Sequence, residues 1–427
     1  MIEGQYLLID SKNIGKDNKN YSIKSIIIII CIIKLIIDLN SNTFEFSFVK
    51  FIYRLNKNSN NYKKENILLF DYIDSKTCED INAYIIFQYF QNINNDKAYY
   101  VVNEETELYK SLVAQNITKN IIPIKDSGNV EQLYPYLLKT KIIVQSYALY
   151  NYQHVISQVK YLKFLYLCHA VNYFKIKSIK IELLQLKEEK KNIIMTSPYE
   201  YNLYKKLNLY KEESLHPAGL PRYDRFKYIN KNKSEKDCIL MSFTFRPYSN
   251  SVYENSLYKK NLIELLSDQN LLSFLEHKNL DFIYIMHHYD VLHNRTFNQD
   301  LFPKIKFKGQ KLLSKYIEQC SLYITDFSSV SFDFMFQNKP VIFYHIDVND
   351  PYDFEEKKYM TIDYDNSIYY NNVFSDKEKL IDKIKYFVNN NFELDEPLKA
   401  KYRNMFYNKE NITETIVGVI YNIMNQE

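Results

Sequence analysis

Glycine is scarce in this chain, with six in 427 residues: Gly4, Gly15, Gly128, Gly219, Gly309 and Gly418. No GxGxxG turn and no Walker A loop can be built from them, so a bound phosphate must be held without a glycine-rich cradle. Cysteine is as sparse. Cys31, Cys78, Cys168, Cys238 and Cys320 are odd in number and scattered, with no CxxC pair. That suggests neither a disulfide framework nor a zinc site and fits a reducing compartment. An excess of one charge is also missing. Lys and Arg number 55 against 51 Asp and Glu, a net +4, too balanced for nucleic acid as a general partner. Tryptophan is absent altogether.

Long apolar runs are few. The stretch from Ile26 to Ile37 is apolar except for Lys34, but it is shorter than the roughly 20 residues a membrane-spanning helix needs. No small-residue cleavage site follows it, so a signal peptide has little support. Lys50, Arg54, Lys57, Lys63 and Lys64 come next, interleaved with Phe44, Phe46, Phe48, Phe51 and Tyr53. An apolar segment beside a basic, aromatic one suits an anionic membrane surface. The alternative is a buried strand or helix followed by a polar linker at Asn56–Asn61.

What is present reads as a globular protein, 46% hydrophobic and 25% charged, long enough for two domains. From Asn66 the pattern alternates short apolar strands with longer amphipathic helices. Strands are predicted at Ile67–Phe70, Ala98–Val102, Ile121–Ile124, Lys141–Gln145, Lys163–Cys168 and Ile193–Thr196, with helices at Asp80–Asn94, Glu105–Gln115 and Val130–Leu138. A polar stretch, Asn230–Asp237, precedes a second series. There, strands are predicted at Cys238–Phe243, Phe282–His287, Leu322–Asp326 and Pro340–His345. Helices are predicted at Asn261–His277, Gln310–Cys320, Ser328–Gln337 and Thr413–Asn425. Alternation of this kind gives parallel sheets. The expected fold is α/β, two Rossmann-type domains with a cleft at the carboxyl ends of both sheets. Residues 1–64 form an amino-terminal extension, 65–229 the first domain and 238–427 the second.

Several strand ends deliver chemistry to that cleft. In Leu322-Tyr-Ile-Thr-Asp-Phe-Ser-Ser-Val-Ser-Phe-Asp333, an apolar strand ends at Thr325 and Asp326, and Ser328 and Ser329 stand where a helix begins. Unpaired amides and two hydroxyls at such a point suit phosphate oxygens. Simple capping by Ser328 is the competing reading, with Asp333 solvated or pairing locally. Phe164-Leu-Tyr-Leu-Cys-His169 carries a histidine to a strand tip, where imidazole can take a proton from a hydroxyl; a structural histidine is the alternative. Lys175 and Lys177 follow and would hold negative charge. Met286-His-His-Tyr-Asp290 is read as one phosphate-contacting histidine, His287, because neighbours on a strand point to opposite faces and cannot share a metal. Ser242-Phe-Thr-Phe-Arg246 presents Thr244 and Arg246, a bidentate phosphate ligand or, nearly as well, an interdomain salt bridge. In Gly219-Leu-Pro-Arg-Tyr-Asp224, Gly219 and Pro221 form a rigid turn near the hinge, with Arg222 expected to pair with Asp224.

Taken in order, these blocks resemble the CDP-glycerol glycerophosphotransferase family of teichoic-acid primases, polymerases and capsule enzymes. Its WHGTPLKK, GxPRND, PTFR, strand-end histidine and TDYSSVxFD…KPIxFF blocks stand here as LCHAVNYFK, GLPRYD, SFTFR, IMHH and TDFSSVSFDFMFQNKPVIFY. The resemblance spans roughly Asn66 to Asn425. It implies a GT-B-like fold and transfer of a polyol phosphate, glycerol phosphate first, from a CDP-linked donor to a hydroxyl acceptor with release of CMP. The acceptor would be lipid-linked or a glycan, and the place the inner face of the cell membrane. By the resemblance His169 is the general base, and His287 and Arg246 face the donor diphosphate. Ser328 and Ser329 cradle it, Thr244 and Thr325 line the donor side, and Asp326 orients the loop. Asn172 and Lys175 fall on the acceptor side. No cofactor is evident, though a loosely held divalent cation is compatible. The departures cluster on the acceptor side: Ala170, Val171 and Asn172 replace Gly-Thr-Pro, Phe174 replaces the first lysine, and Cys168 replaces an aromatic residue. A different acceptor, or a non-catalytic donor-binding relative, would account for them. A GT-B glycosyltransferase using a nucleotide sugar is the other alternative.

Overall fold

Alternating strands and helices resolve into two wholly parallel sheets in the computed structural model. The structure describes residues 44–71, 81–125, 131–146, 156, 159–168, 170–171, 192–208, 210–228, 237–295, 298–347, 372–407 and 410–426. The first sheet comprises β1 (Asn66–Phe70), β2 (Ala98–Asn103), β3 (Ile121–Ile124), β4 (Thr140–Gln145), β5 (Lys163–Tyr166), β6 (Ile193–Met195) and β7 (Leu215–Pro217), in the order 3-2-1-4-5-6-7. The second comprises β8 (Cys238–Met241), β9 (Asp281–Ile285), β10 (Ile305–Lys308), β11 (Leu322–Thr325), β12 (Val341–Tyr344) and β13 (Val373–Phe374), in the order 10-9-8-11-12-13. Parallel strands need crossover helices on the sheet faces. The central strands are therefore apolar on both sides, and all four residues of β8 are buried. In each sheet the winding reverses beside its first strand, between β1 and β4 and between β8 and β11. The carboxyl ends of such a pair open the crevice in which doubly wound sheets bind ligands.

Some elements differ from expectation. The single helix predicted over Asn261–His277 is two, Leu257–Leu266 and Gln269–His277. Asp268 divides them by accepting the Leu271 amide at 3.0 Å, an N-cap that restarts the helix. Strands β7, β10 and β13 were not foreseen: the first is three residues ending in proline, the second alternates lysines with apolar residues, and the third is two residues long. The polar stretch Asn56–Asn61 is no linker. It completes helix Phe44–Asn58 and a 3-10 turn, and Asn58 Nδ2 donates to the Tyr134 hydroxyl at 3.0 Å. Two compact units divide the chain, one ending at Arg54 and one running from Leu55 to the end, and the second holds both sheets. The apolar run Ile26–Ile37 lies outside the described residues. No described helix is long and apolar enough to cross a membrane.

The expectation of no disulfide is also corrected. Because β8 and β11 are neighbours, Cys238 and Cys320, 82 residues apart, come side by side with Cα atoms 4.6 Å apart and are joined. Scattered spacing in the sequence does not show that sheet adjacency.

The GLPRYD segment joins the halves, though not by the pairing expected. Arg222 grips Asp333 of the second half, Nε to Oδ1 at 3.0 Å and Nη2 to Oδ1 at 2.8 Å. Asp224 instead caps the carboxyl-terminal helix Ile412–Asn425, accepting from the Thr413 amide and hydroxyl at 2.7 Å each. That helix returns to pack on the helix Asn82–Asn92 and on β4 and β5. Gly219 permits the approach. Its φ is +149°, and a Cβ there would meet Ile412 side-chain atoms at 3.1–3.3 Å. Gly219→Ala is therefore expected to lower the unfolding free energy by about 2 kcal/mol. Urea denaturation measures it, and a loss under about 0.5 kcal/mol would contradict the close approach.

Candidate active site

At the second switch point the sequence block TDFSS divides into an interior half and a rim half. Asp326 is fully buried. Its carboxylate accepts from the Thr244 amide at 3.1 Å to each oxygen, from the Thr244 hydroxyl at 3.0 Å, from the Phe327 amide at 2.7 Å and from Arg246 Nη1 at 2.7 Å. Arg246 is buried as deeply. It donates to both oxygens of Asp347, with Nη2 to Oδ1 at 2.9 Å, and to the Thr244 carbonyl at 2.7 Å. Tyr258 and Phe327 cover its faces, with the guanidinium carbon 4.8 and 5.0 Å from their ring centres. Thr325, also buried, donates to the Ser242 carbonyl at 2.8 Å. A guanidinium enclosed by two carboxylates is spent internally. Of the two readings the sequence left for Arg246, the geometry is that of a salt bridge, made within the second half.

Ser328 and Ser329 are different. Both are half-exposed at the turn between β11 and the helix Val330–Phe336. Ser328 Oγ accepts the Val330 amide at 3.3 Å, and Ser329, at the cap position, makes no side-chain capping bond. Beneath them the Tyr323 hydroxyl meets Ser242 Oγ at 2.7 Å, and burial first among its influences raises that phenol to about 12. The turn thus offers small hydroxyls on a rigid, buried footing.

On the far side of β8 from this turn, β9 leads to His287, the cap of a short helix His288–Leu292. His287 Nδ1 accepts the Tyr289 amide at 3.3 Å, so the neutral ring carries its proton on Nε2. Its ring lies 5.8 Å from Phe245 and 5.5 Å from Tyr289. Asp290, acidic member of the HHYD run, is taken by Arg295 at 3.1 Å, and Arg295 also donates to the Arg246 carbonyl at 2.7 Å. Burial pushes the Asp290 carboxyl up. His345, at the end of β12, is buried against Phe327, and burial pushes its imidazole down. Asp347, Arg295, Tyr323 and His345 were missed in the sequence. Only position after a predicted strand end pointed to Asp347 and His345.

On the first sheet, His169, Asn172 and Lys175 lie outside the described residues, as does Lys177. What precedes His169 is well defined. Cys168 has a left-handed backbone, φ +61°, and its carbonyl accepts from Asn82 Nδ2 at 3.2 Å. At the first switch point the buried Asp71 accepts from Ser146 Oγ at 2.6 Å, from the Tyr100 hydroxyl at 3.0 Å and from the Ala83 and Tyr84 amides at 2.9 and 3.1 Å. Burial raises that carboxyl to about 6. Among the described residues no cluster of three His, Cys, Asp or Glu side chains could hold a metal ion.

The sequence and the fold have known counterparts. A family model described as CDP-Glycerol:Poly(glycerophosphate) glycerophosphotransferase matches residues 52–422. The chain is 23% identical over 390 residues to the minor teichoic acid biosynthesis protein GgaB of Bacillus subtilis (strain 168), covering 83% of this chain and 40% of that protein. It is 27% identical over 154 residues to the teichoic acid glycerol-phosphate primase of the same organism, 34% of this chain and 37% of that one. The chain therefore spans about two fifths of the length of these curated relatives. The wall teichoic acid polymerase TagF superposes with a TM-score of 0.58 at 14% identity, over 90% of this chain and 98% of that one. At that identity the likeness shows the fold, which is of GT-B type.

The brace makes a prediction that separates its role from that of a phosphate ligand. Arg246→Ala leaves two buried carboxylates uncompensated and is expected to destabilise the protein by about 3 kcal/mol or more in urea unfolding. A loss within about 0.5 kcal/mol, the usual range for an exposed side chain, would contradict the internal role.

Proposed function

The chain belongs to the CDP-Glycerol:Poly(glycerophosphate) glycerophosphotransferase family, and we propose that it moves a polyol phosphate, glycerol phosphate first, from a CDP-linked donor to a hydroxyl acceptor. The observation that carries this reading is the Ser328–Ser329 turn at the second switch point, held from beneath by the Asp326–Arg246–Asp347 brace. A diphosphate needs donors there without glycine, and two hydroxyls with the local amides are such donors. We assign His287, whose Nδ1 takes the cap bond, a further role on the donor side.

In the proposed reaction His169 takes the proton of the acceptor hydroxyl. The acceptor oxygen bonds to the β-phosphorus, the bond from that phosphorus to the bridging oxygen breaks, and CMP leaves with the electron pair. Charge develops on the phosphoryl oxygens and on CMP, so catalysis is chiefly positioning and electrostatic stabilisation by Ser328, Ser329 and His287. Asn172 and Lys175 serve the acceptor, a lipid-linked or glycan hydroxyl. The apolar run Ile26–Ile37 ahead of the basic, aromatic segment suits work at the membrane surface, and partition with membranes that is lost on deleting residues 1–43, which hold that run, would check the location.

His169→Ala is expected to lower CMP release from CDP-glycerol by 10²- to 10⁴-fold, the usual worth of a general base, while CDP binding by calorimetry stays within about twofold. Normal turnover in that variant would remove His169 from the mechanism. Release of UDP from UDP-sugars, with none of CMP from CDP-glycerol, would replace the reading by glycosyl transfer.

A further inference from the structure

Asn82 stands where the two halves meet, and its carboxamide is completely buried. It opens the helix Asn82–Asn92. Its Oδ1 accepts the Arg222 amide at 3.1 Å, and its Nδ2 donates to the Cys168 carbonyl at 3.2 Å. The two bonds fix the amide's orientation, since only the nitrogen can serve a carbonyl and only the oxygen an amide. Arg222 continues the connection, because its guanidinium holds Asp333 through Nε at 3.0 Å and Nη2 at 2.8 and 3.1 Å. Asp333 belongs to the helix Val330–Phe336, which begins directly after Ser328 and Ser329.

The turn at Cys168 needs such a partner. A left-handed backbone at a residue other than glycine is strained and persists where the surroundings over-determine it. Cys168, at φ +61°, is held by burial and by the bond from Asn82. Without that bond the carbonyl loses its buried donor, and the residue that follows, His169, loses a fixed point of departure.

We propose that Asn82 is a positioning residue that, with Arg222 and Asp333, couples the turn preceding His169 in the first half to the helix behind Ser328 and Ser329 in the second. The inference rests on the phosphotransfer reading, which gives those two segments the proton acceptor and the phosphate donors. Displacement of a reacting group by about 1 Å can cost 10²-fold in rate, so a contact made through one buried amide is enough to matter.

The test is Asn82→Asp. The carboxylate still accepts the Arg222 amide but presents no donor to the Cys168 carbonyl. With CDP-glycerol and an oligo(glycerol phosphate) acceptor, kcat is expected to fall ten- to a hundredfold while the Kd for CDP changes less than twofold. A protonated carboxyl regains the donor, so the activity of the variant relative to wild type should rise as the pH is lowered. A purely structural lesion gives no such recovery. Asn82→Asp combined with Asp333→Asn should be scarcely slower than the worse single variant, because both break one connection. Wild-type kcat in Asn82→Asp, or strictly multiplicative losses in the double variant, would overturn the proposal. If the wild-type protein itself releases no CMP, the phosphotransfer reading fails separately. Hydrogen exchange then decides the coupling, which requires that Asp333→Asn speed the exchange of amides 165–168; unchanged exchange overturns it. Should Asn82→Asp not fold, Asn82→Ser takes its place with the same expected split between kcat and Kd.

Discussion

The salt bridge between Arg222 and Asp333 is the contact on which the candidate site depends. It joins residues 111 apart in sequence and ties the end of the first half to the helix behind the serine turn of the second. Asp333 is almost wholly buried, and burial raises its carboxyl although Arg222 opposes the shift. A buried pair of this kind gains little net energy over apolar residues, since both ions lose their water. What it supplies is register. The bidentate fork accepts one distance and one angle, so it holds the segment after β7 and the helix Val330–Phe336 in one arrangement. Asp224, two residues on, adds the return of the carboxyl-terminal helix to the same place.

A second brace underlies the serine turn. Arg246 is neutralised by Asp326 and Asp347, and these carboxylates also organise Thr244 and the Phe327 amide. The full charges are turned inward and the rim of the turn shows neutral hydroxyls. This is how a glycine-poor chain makes a stiff turn at a switch point. The turn's shape comes from a buried ion network beneath it, where folds with a glycine-rich loop rely on glycine to admit unusual backbone angles.

Much of this was legible in the sequence, and what was not has a common cause. Alternating apolar strands and amphipathic helices are local patterns, so both sheets and most strand limits followed from them. The serine turn was legible because strand end, turn and helix start are contiguous. Partners far apart in sequence were not. Arg222 was assigned to its neighbour Asp224, although its partner is Asp333. Arg246 was read as a ligand or an interdomain bridge, although Asp347, 101 residues away, encloses it. Cys238 and Cys320 are joined only because β8 and β11 adjoin. Asn82 carried no signal, since a buried asparagine that serves a backbone carbonyl looks in sequence like any helix-start polar residue. The split of Asn261–His277 was missed because Ser267-Asp268 interrupts an otherwise continuous apolar period.

The account's central claim is that Arg222 and Asp333 act as one unit to set the two halves. A double-mutant cycle of Arg222→Ala and Asp333→Ala, read by urea unfolding, tests it most directly. The expected result is that each single change destabilises markedly while the double variant is little worse, a coupling of about 2 kcal/mol. Losses that add within about 0.5 kcal/mol would mean that the two side chains contribute separately, and the claim would fall.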